Sequence, residues 1–170
     1  EEEQERRRDA ERRRDVAETL RGILKILNSD RPLQEMLDFV AERAGELMRA
    51  TATMIRQTDL EEEVVLTVAS HNLHPEMDVM QSSPFYRSAN DEQLMDKSPV
   101  RIADLQAYYA PLLSKPGELD ARRLAGIQAT VRNYRSMLKV PLFIKEQLFG
   151  AMTFFYDQRK EISDEDVQMA

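Results

Sequence analysis

The chain has 170 residues, no cysteine, a formal net charge of −7 and a pI near 5.0. Without cysteine there are no disulfides, thiolate metal sites, cysteine nucleophiles or thioether-linked chromophores, and a reducing, cytoplasmic setting fits. The acid excess argues against a nucleic-acid footprint, no apolar run approaches the ~20 residues of a membrane span, and no signal-peptide pattern opens the chain.

The first 28 residues read as a connector helix. Up to Asp15 the acids Glu1, Glu2, Glu3, Glu5, Asp9, Glu11 and Asp15 balance Arg6, Arg7, Arg8, Arg12, Arg13 and Arg14 at spacings of three and four, as on a solvated helix. Val16, Leu20, Ile23 and Leu27 then follow the seam spacing of a short coiled coil, which predicts a parallel homodimer. The same stripe would equally serve to pack the helix on its own domain.

Asn28, Ser29 and Asp30 end that helix, and Ser29 or Asp30 caps the next, with Pro32 in its first turn. Leu33, Met36, Leu37, Val40, Ala41, Ala44, Leu47 and Met48 make an apolar stripe over about Pro32 to Arg49. Strand signals follow in Thr51 to Arg56 and Glu63 to Ser70, joined by a short connection as an antiparallel hairpin. Residues 71–98, with Pro75, Pro84 and both histidines, read as one long irregular stretch. Pro99 to Ala103 suits a short edge strand. Leu105 to Leu113 and Leu119 to Asn133 read as helices, separated by Lys115, Pro116 and Gly117. Arg135 to Ile144 and Leu148 to Tyr156 alternate as a second hairpin turning at Lys145 to Gln147. Ser163 caps a final helix with Asp164, Glu165 and Asp166 in its first turn, and it stops at Ala170. With no initiating methionine and this short last helix, the chain reads as a piece of a longer polypeptide. The order of elements predicts an α+β domain with a mostly antiparallel sheet.

The run Ser136-Met137-Leu138-Lys139-Val140-Pro141-Leu142, then Gln147-Leu148-Phe149-Gly150-Ala151-Met152, then Ile162-Ser163-Asp164-Glu165-Asp166 resembles the end of a GAF domain. The helix from Leu33 to Met48 and the run Pro99-Val100-Arg101-Ile102-Ala103-Asp104 agree with the same family, so the resemblance covers residues 29–170. It implies a GAF-like, PAS-related fold: a six-stranded antiparallel sheet with the N- and C-terminal helices on one face and small helices and loops on the other. It also implies a dimer and, in many members, a small-molecule pocket under the small helices.

Several chemistries of that family fail here on the residues. Covalent bilin attachment and methionine sulfoxide reduction both use cysteine. Cyclic-nucleotide binders resemble one another in an N-K…F-x-x-x-D-E signature, against which this chain sets Asp157, Gln158, Ile162, Asp166 and Val167, with one agreement. Haem or metal would need a ligand such as His71 or His74, and Pro75 breaks the helix that would put both on one side. There is no P-loop and no G-x-S-x-G, so no enzyme is expected.

Candidate ligand contacts are Tyr108, Tyr109 and Tyr134 as aromatic walls, Arg101, Arg122, Arg123 and Arg135 as anion holders, Ser136 on a strand, and His71. The plainer alternative makes the tyrosines core, the arginines solvent-facing, and Asp104 the cap of the following helix. The expected function is a regulatory sensory and dimerisation module of a cytoplasmic signalling protein. Its terminal helices would pass small-molecule binding to an output domain in cis, a histidine kinase first and a cyclase or phosphatase otherwise. The alternative is a ligand-free degenerate GAF domain acting only as a dimerisation scaffold, and the third reading is an enzyme of unexpected type.

Overall fold

The computed structural model describes residues 2–27, 32–85, 89–144 and 146–170. In chain order the elements begin with helices α1 (Glu2–Leu27) and α2 (Leu33–Leu47), then strands β1 (Ala52–Asp59) and β2 (Val64–His71). A 3₁₀ turn (Pro75–Met80), β3 (Ser82–Pro84), α3 (Ala89–Met95), β4 (Val100–Ile102) and α4 (Leu105–Leu113) follow. A short 3₁₀ turn (Pro116–Glu118), α5 (Ala121–Asn133), β5 (Ser136–Ile144), β6 (Gln147–Tyr156) and α6 (Asp164–Met169) complete the fold. The six strands form one antiparallel sheet in the order β3-β2-β1-β6-β5-β4.

Side chains alternate between the two faces of each strand, so the sheet carries two apolar layers. Ile55, Ala69, Leu138, Met152, Phe154 and Tyr156 lie under α2 and α6. Met54, Val100, Ile102, Met137, Ala151 and Phe155 lie on the other face with Met77, Leu94 and Leu105 of the short elements. At Gly45 helix α2 lies so near the sheet that a Cβ would run into the Thr53 hydroxyl. Helix α1 packs along α2. It reaches α6 through Arg12, whose guanidinium is 3.0 Å from Glu165 and 3.7 Å from Asp166.

The ends of the helices follow local chemistry. Asp104 and Asp120 accept from Ala107 N–H (3.1 Å) and Arg123 N–H (2.9 Å), capping α4 and α5. Ser163 and Asp166 form a reciprocal capping box on α6, as the Ser-Asp-Glu-Asp run implies. Helix α2 closes with Ala50 N–H bonded to Gly45 carbonyl at 2.9 Å and Arg49 N–H to Glu46 carbonyl at 3.1 Å. That pattern puts the exposed Arg49 in the left-handed region, at φ 52°. Glycine takes that conformation without the Cβ penalty, so Arg49→Gly is expected to raise unfolding stability by about 1 kcal/mol in urea denaturation.

The structure departs from the expectations in four places. Residues 71–98 are not one irregular stretch. They hold the first 3₁₀ turn, the edge strand β3 and the helix α3, each too short to show a hydrophobic period. Strand β1 runs on to Asp59, because Gln57 and Thr58 pair with Leu66 and Val65, and the turn falls at residues 60–63. Pro32 sits ahead of α2 with extended geometry (ψ 142°) rather than inside its first turn. Leu33, placed in the apolar stripe, is 66% exposed at the helix start. Ser29 and Asp30, read as caps, lie outside the described residues, as do the side chains of Leu20, Ile23 and Leu27. Val16 is half-buried.

Candidate functional site

The sheet face covered by the short elements is apolar except at its middle. Strand β1 presents Ala52, Met54 and then Arg56 to it, and β5 presents Met137 and then Lys139. Strand β6 runs between them, with Ala151 beside Arg56 and Thr153 beside Lys139. Two cations therefore stand in a layer that the pleat reserves for apolar groups.

Arg56 is held by neutral acceptors. Its Nη2 donates to Met80 carbonyl (2.9 Å) and Ser83 hydroxyl (2.8 Å), with Val65 carbonyl at 3.4 Å. Its Nε is buried with no hydrogen-bond partner among the described residues. Burial pushes its pKa down to about 10, Asp91 pulling the other way, so it stays charged at neutral pH. Strand β1 keeps its register with β6 through this point, so Arg56 follows Ala52 and Met54 inward, while the irregularity at Ile55/Arg56 lies in the pairing with β2, where Val68 is passed over.

Lys139 is half-buried. Burial lowers its pKa, Asp91 opposes that shift, and Arg56 adds to it. Asp91 comes from α3, three residues before Leu94, so both lie on the side of the helix that meets the sheet. Tyr109 closes the cluster. Its hydroxyl is buried, which pushes its pKa to about 12, with Tyr108 and Asp91 adding and Arg123 opposing. Four methionines, Met54, Met77, Met80 and Met137, pack in the same layer, and their unbranched side chains let it adjust to a guest.

Of the residues expected to bind a ligand, the structure brings Tyr109 into this cluster, with Tyr108 edge-on to it at 4.9 Å and 42% exposed and the half-buried Arg123 of α5 near enough to act on the Tyr109 hydroxyl. Tyr134 is a core ring stacked on Phe155 at 4.5 Å, and its hydroxyl accepts from His74 N–H at 2.9 Å. Arg101 points to the opposite face, bonding Asp164 at 2.8 Å and Ile162 carbonyl at 3.3 Å. Ser136 is fully buried on that opposite face too and donates to Gln158 carbonyl at 2.7 Å. His71 pairs in register with Thr53, which places it toward α2. Arg122 is exposed on α5, and Arg135 bonds Val131 carbonyl at 2.8 Å. Among the described residues no three His, Asp or Glu side chains group as metal ligands, and no helix is long and apolar enough to cross a membrane.

A separate opening lies elsewhere, a cleft of ≈ 940 Å³ between α1, α2 and α6. Charges of both signs line it, including Arg8, Asp9, Arg12, Arg43, Glu46 and Lys160. It has the character of a wet seam between packed helices and lacks the buried, unmatched charge found on the sheet face.

No family model and no curated protein matches the sequence. Solved structures do. The GAF domain of an Acinetobacter phosphoenolpyruvate-protein phosphotransferase superposes with a TM-score of 0.64 at 20% identity, over 90% of this chain and 84% of that one. This chain has the GAF fold. The phycocyanobilin-bound GAF domain of a cyanobacterial phytochrome shares it at a TM-score of 0.67 and 12% identity, over 91% of this chain and 86% of that one. So does the free methionine-R-sulfoxide reductase of Neisseria meningitidis in complex with its substrate, at 0.65 and 15%, over 91% and 80%. The GAF fold thus occurs in a phosphotransferase, a chromophore-bound phytochrome and a reductase, and the site must decide between such roles.

Within this GAF fold the charged members of the cluster, Arg56, Lys139 and Asp91, were missed by the sequence reading. A signal was present for two of them. Both strands alternate, and Arg56 follows Ala52 and Met54 on one side as Lys139 follows Met137. A cation in phase with apolar residues on a strand marks a buried charge, and buried charges concentrate at functional sites. Asp91 carries no such signal, because α3 is too short to show which side faces inward.

Proposed function

We propose that this GAF domain is a regulatory sensory module that binds a small molecule between the sheet and its short helices. The observation that carries the reading is the Arg56–Lys139 pair. A core built for stability alone would put apolar side chains at both positions, since burying a cation costs more than burying a methylene chain. Positions that break the packing rule in this way are expected to serve function.

The terminal helices offer a route for the signal. Arg12 links α1 to α6, and α2 packs on the face of the sheet opposite the cluster. A ligand that moved the short elements would alter the sheet on which α2 and α6 rest, and with them α1. Residues 1–28 then act as a connector, the stripe of Val16, Leu20, Ile23 and Leu27 as the seam of a homodimer, and the output domain lies in cis. The phosphotransferase GAF domain, part of a larger protein, is a parallel for that arrangement. The absence of cysteine, and of any P-loop or nucleophile–base motif, supports a non-catalytic role.

A thermal-shift screen of the intact chain against metabolites, nucleotides and tetrapyrroles tests the proposal. At least one compound is expected to raise the melting temperature and to lose that effect in Arg56→Met. If the full screen leaves the melting temperature unmoved while sedimentation shows a stable dimer, the ligand-free scaffold takes its place.

A further inference from the structure

The charge balance of the cluster, taken with its geometry, narrows the ligand class. Arg56 and Lys139 are like charges on one interior sheet face, separated by β6. The acceptors fixing Arg56 are two carbonyls and a hydroxyl, all neutral, and they leave its buried Nε without a partner among the described residues. Asp91 is the carboxylate whose field reaches both cations. One acid against two buried bases leaves an excess of positive charge in a layer that otherwise excludes ions.

Asp91 is placed on a short, marginal element. Helix α3 has seven residues, rests on β4 and β5, and inserts Leu94 into the core. A shallow hollow of ≈ 300 Å³ borders its outer side, walled by Asp91, Glu92, Met95 and Asp96. Glu92 of α3, and Asp96 just beyond it, would be repelled by any second negative charge arriving at Lys139.

We propose that Arg56 and Lys139 receive an oxyanion of the ligand, a carboxylate or a phosphate, and that Asp91 occupies its place until the ligand displaces it. This rests on the reading of the face as the sensory site. It adds a ligand class and a moving part. The anion takes over the positive charge, Asp91 loses its counter-ions, and α3 lifts from β4 and β5. Tyr109 stays neutral and offers its hydroxyl as a donor beside the anion.

The test is calorimetric and thermal-shift titration of the intact chain at constant ionic strength. The probes are inorganic phosphate, acetate and succinate, with acetamide and succinamide as uncharged counterparts. At least one oxyanion is expected to bind and the amides are not; whether phosphate or a carboxylate binds identifies the head group. Lys139→Met should abolish binding, and Asp91→Asn should tighten it about tenfold by removing the internal competitor. Equal response of wild type and Lys139→Met would expose a general salt effect and overturn the proposal, as would unchanged affinity in Asp91→Asn. No binding by any of the three oxyanions would also overturn it. If a neutral compound from the wider screen stabilises the chain while all three oxyanions fail, the sensory reading stands and the anion inference falls.

Discussion

Gly150→Ala is expected to destabilise the domain by about 3 kcal/mol, a loss of roughly 10 °C in melting temperature for a chain of this size. Gly150 sits on β6 opposite Gln57 of β1 and Leu142 of β5, in the middle of the sheet. A Cβ there would collide with the carbonyl oxygen of Arg56 and lie 2.8 Å from its carbonyl carbon and 2.9 Å from Gln57 Cα. These are backbone atoms in a hydrogen-bonded ladder, so relief requires β1 and β6 to part. Gly117 is the natural control, because a Cβ there meets nothing within 4 Å. Gly117→Ala should melt within a degree or two of the wild type. A Gly150→Ala variant that did the same would show that the two central strands are not packed as described. The collision is with the backbone of Arg56 itself, so a surviving Gly150→Ala protein should also lose the ligand response proposed for that site.

Lys139→Met is expected to act in the opposite direction, raising stability by about 1–2 kcal/mol. Methionine fills a similar volume and needs no solvation, and Met54 and Met137 already line the layer. The variant has a pH signature. The Lys139 ammonium has a lowered pKa in the folded chain, while the unfolded chain keeps the ordinary 10.5. Between the two values the unfolded state holds a proton that the folded state has lost, so wild-type stability rises with pH across that window. The advantage of Lys139→Met should therefore be full at neutral pH and shrink as pH approaches 10.5. Denaturation of both proteins at matched pH values reads this difference directly and cancels the tyrosines, which titrate alike in each. A gap independent of pH would mean that the ammonium reaches water. Paired with loss of ligand binding, the gain in stability would show that the buried cation is retained at a stability cost for function.

Much of the architecture was legible in the sequence because it rests on local periodicity. The apolar stripe of α2, the alternation of β1, β2, β5 and β6, and the caps Asp104 and Ser163 are signals between neighbours in the chain, and the structure shows all of them. The elements that escaped are β3 and α3, of three and seven residues, which are held by partners far away in sequence. β3 exists because Ser82, Ser83 and Pro84 pair with Leu66, Val65 and Val64. Nothing within residues 82–84 predicts that.

The site was less legible, and for a related reason. Aromatic and arginine residues between positions 100 and 139 were natural candidates by type, yet type does not fix direction. Arg101 turns away because β4 gives Val100 and Ile102 to the core and sends the residue between them to Asp164. Tyr134 and Ser136 spend their hydroxyls on backbone groups that only the folded chain brings near. By itself the sequence determined the α+β class, the order of the main helices and hairpins, and the exclusion of cysteine chemistry, since these depend on composition and short-range pattern. Only the tertiary structure decided that Arg56, Lys139, Asp91 and Tyr109 share one interior face. That grouping is set by strand order and register across β1, β6 and β5, with α3 folded over them, and register is a property of pairs of strands rather than of either one alone.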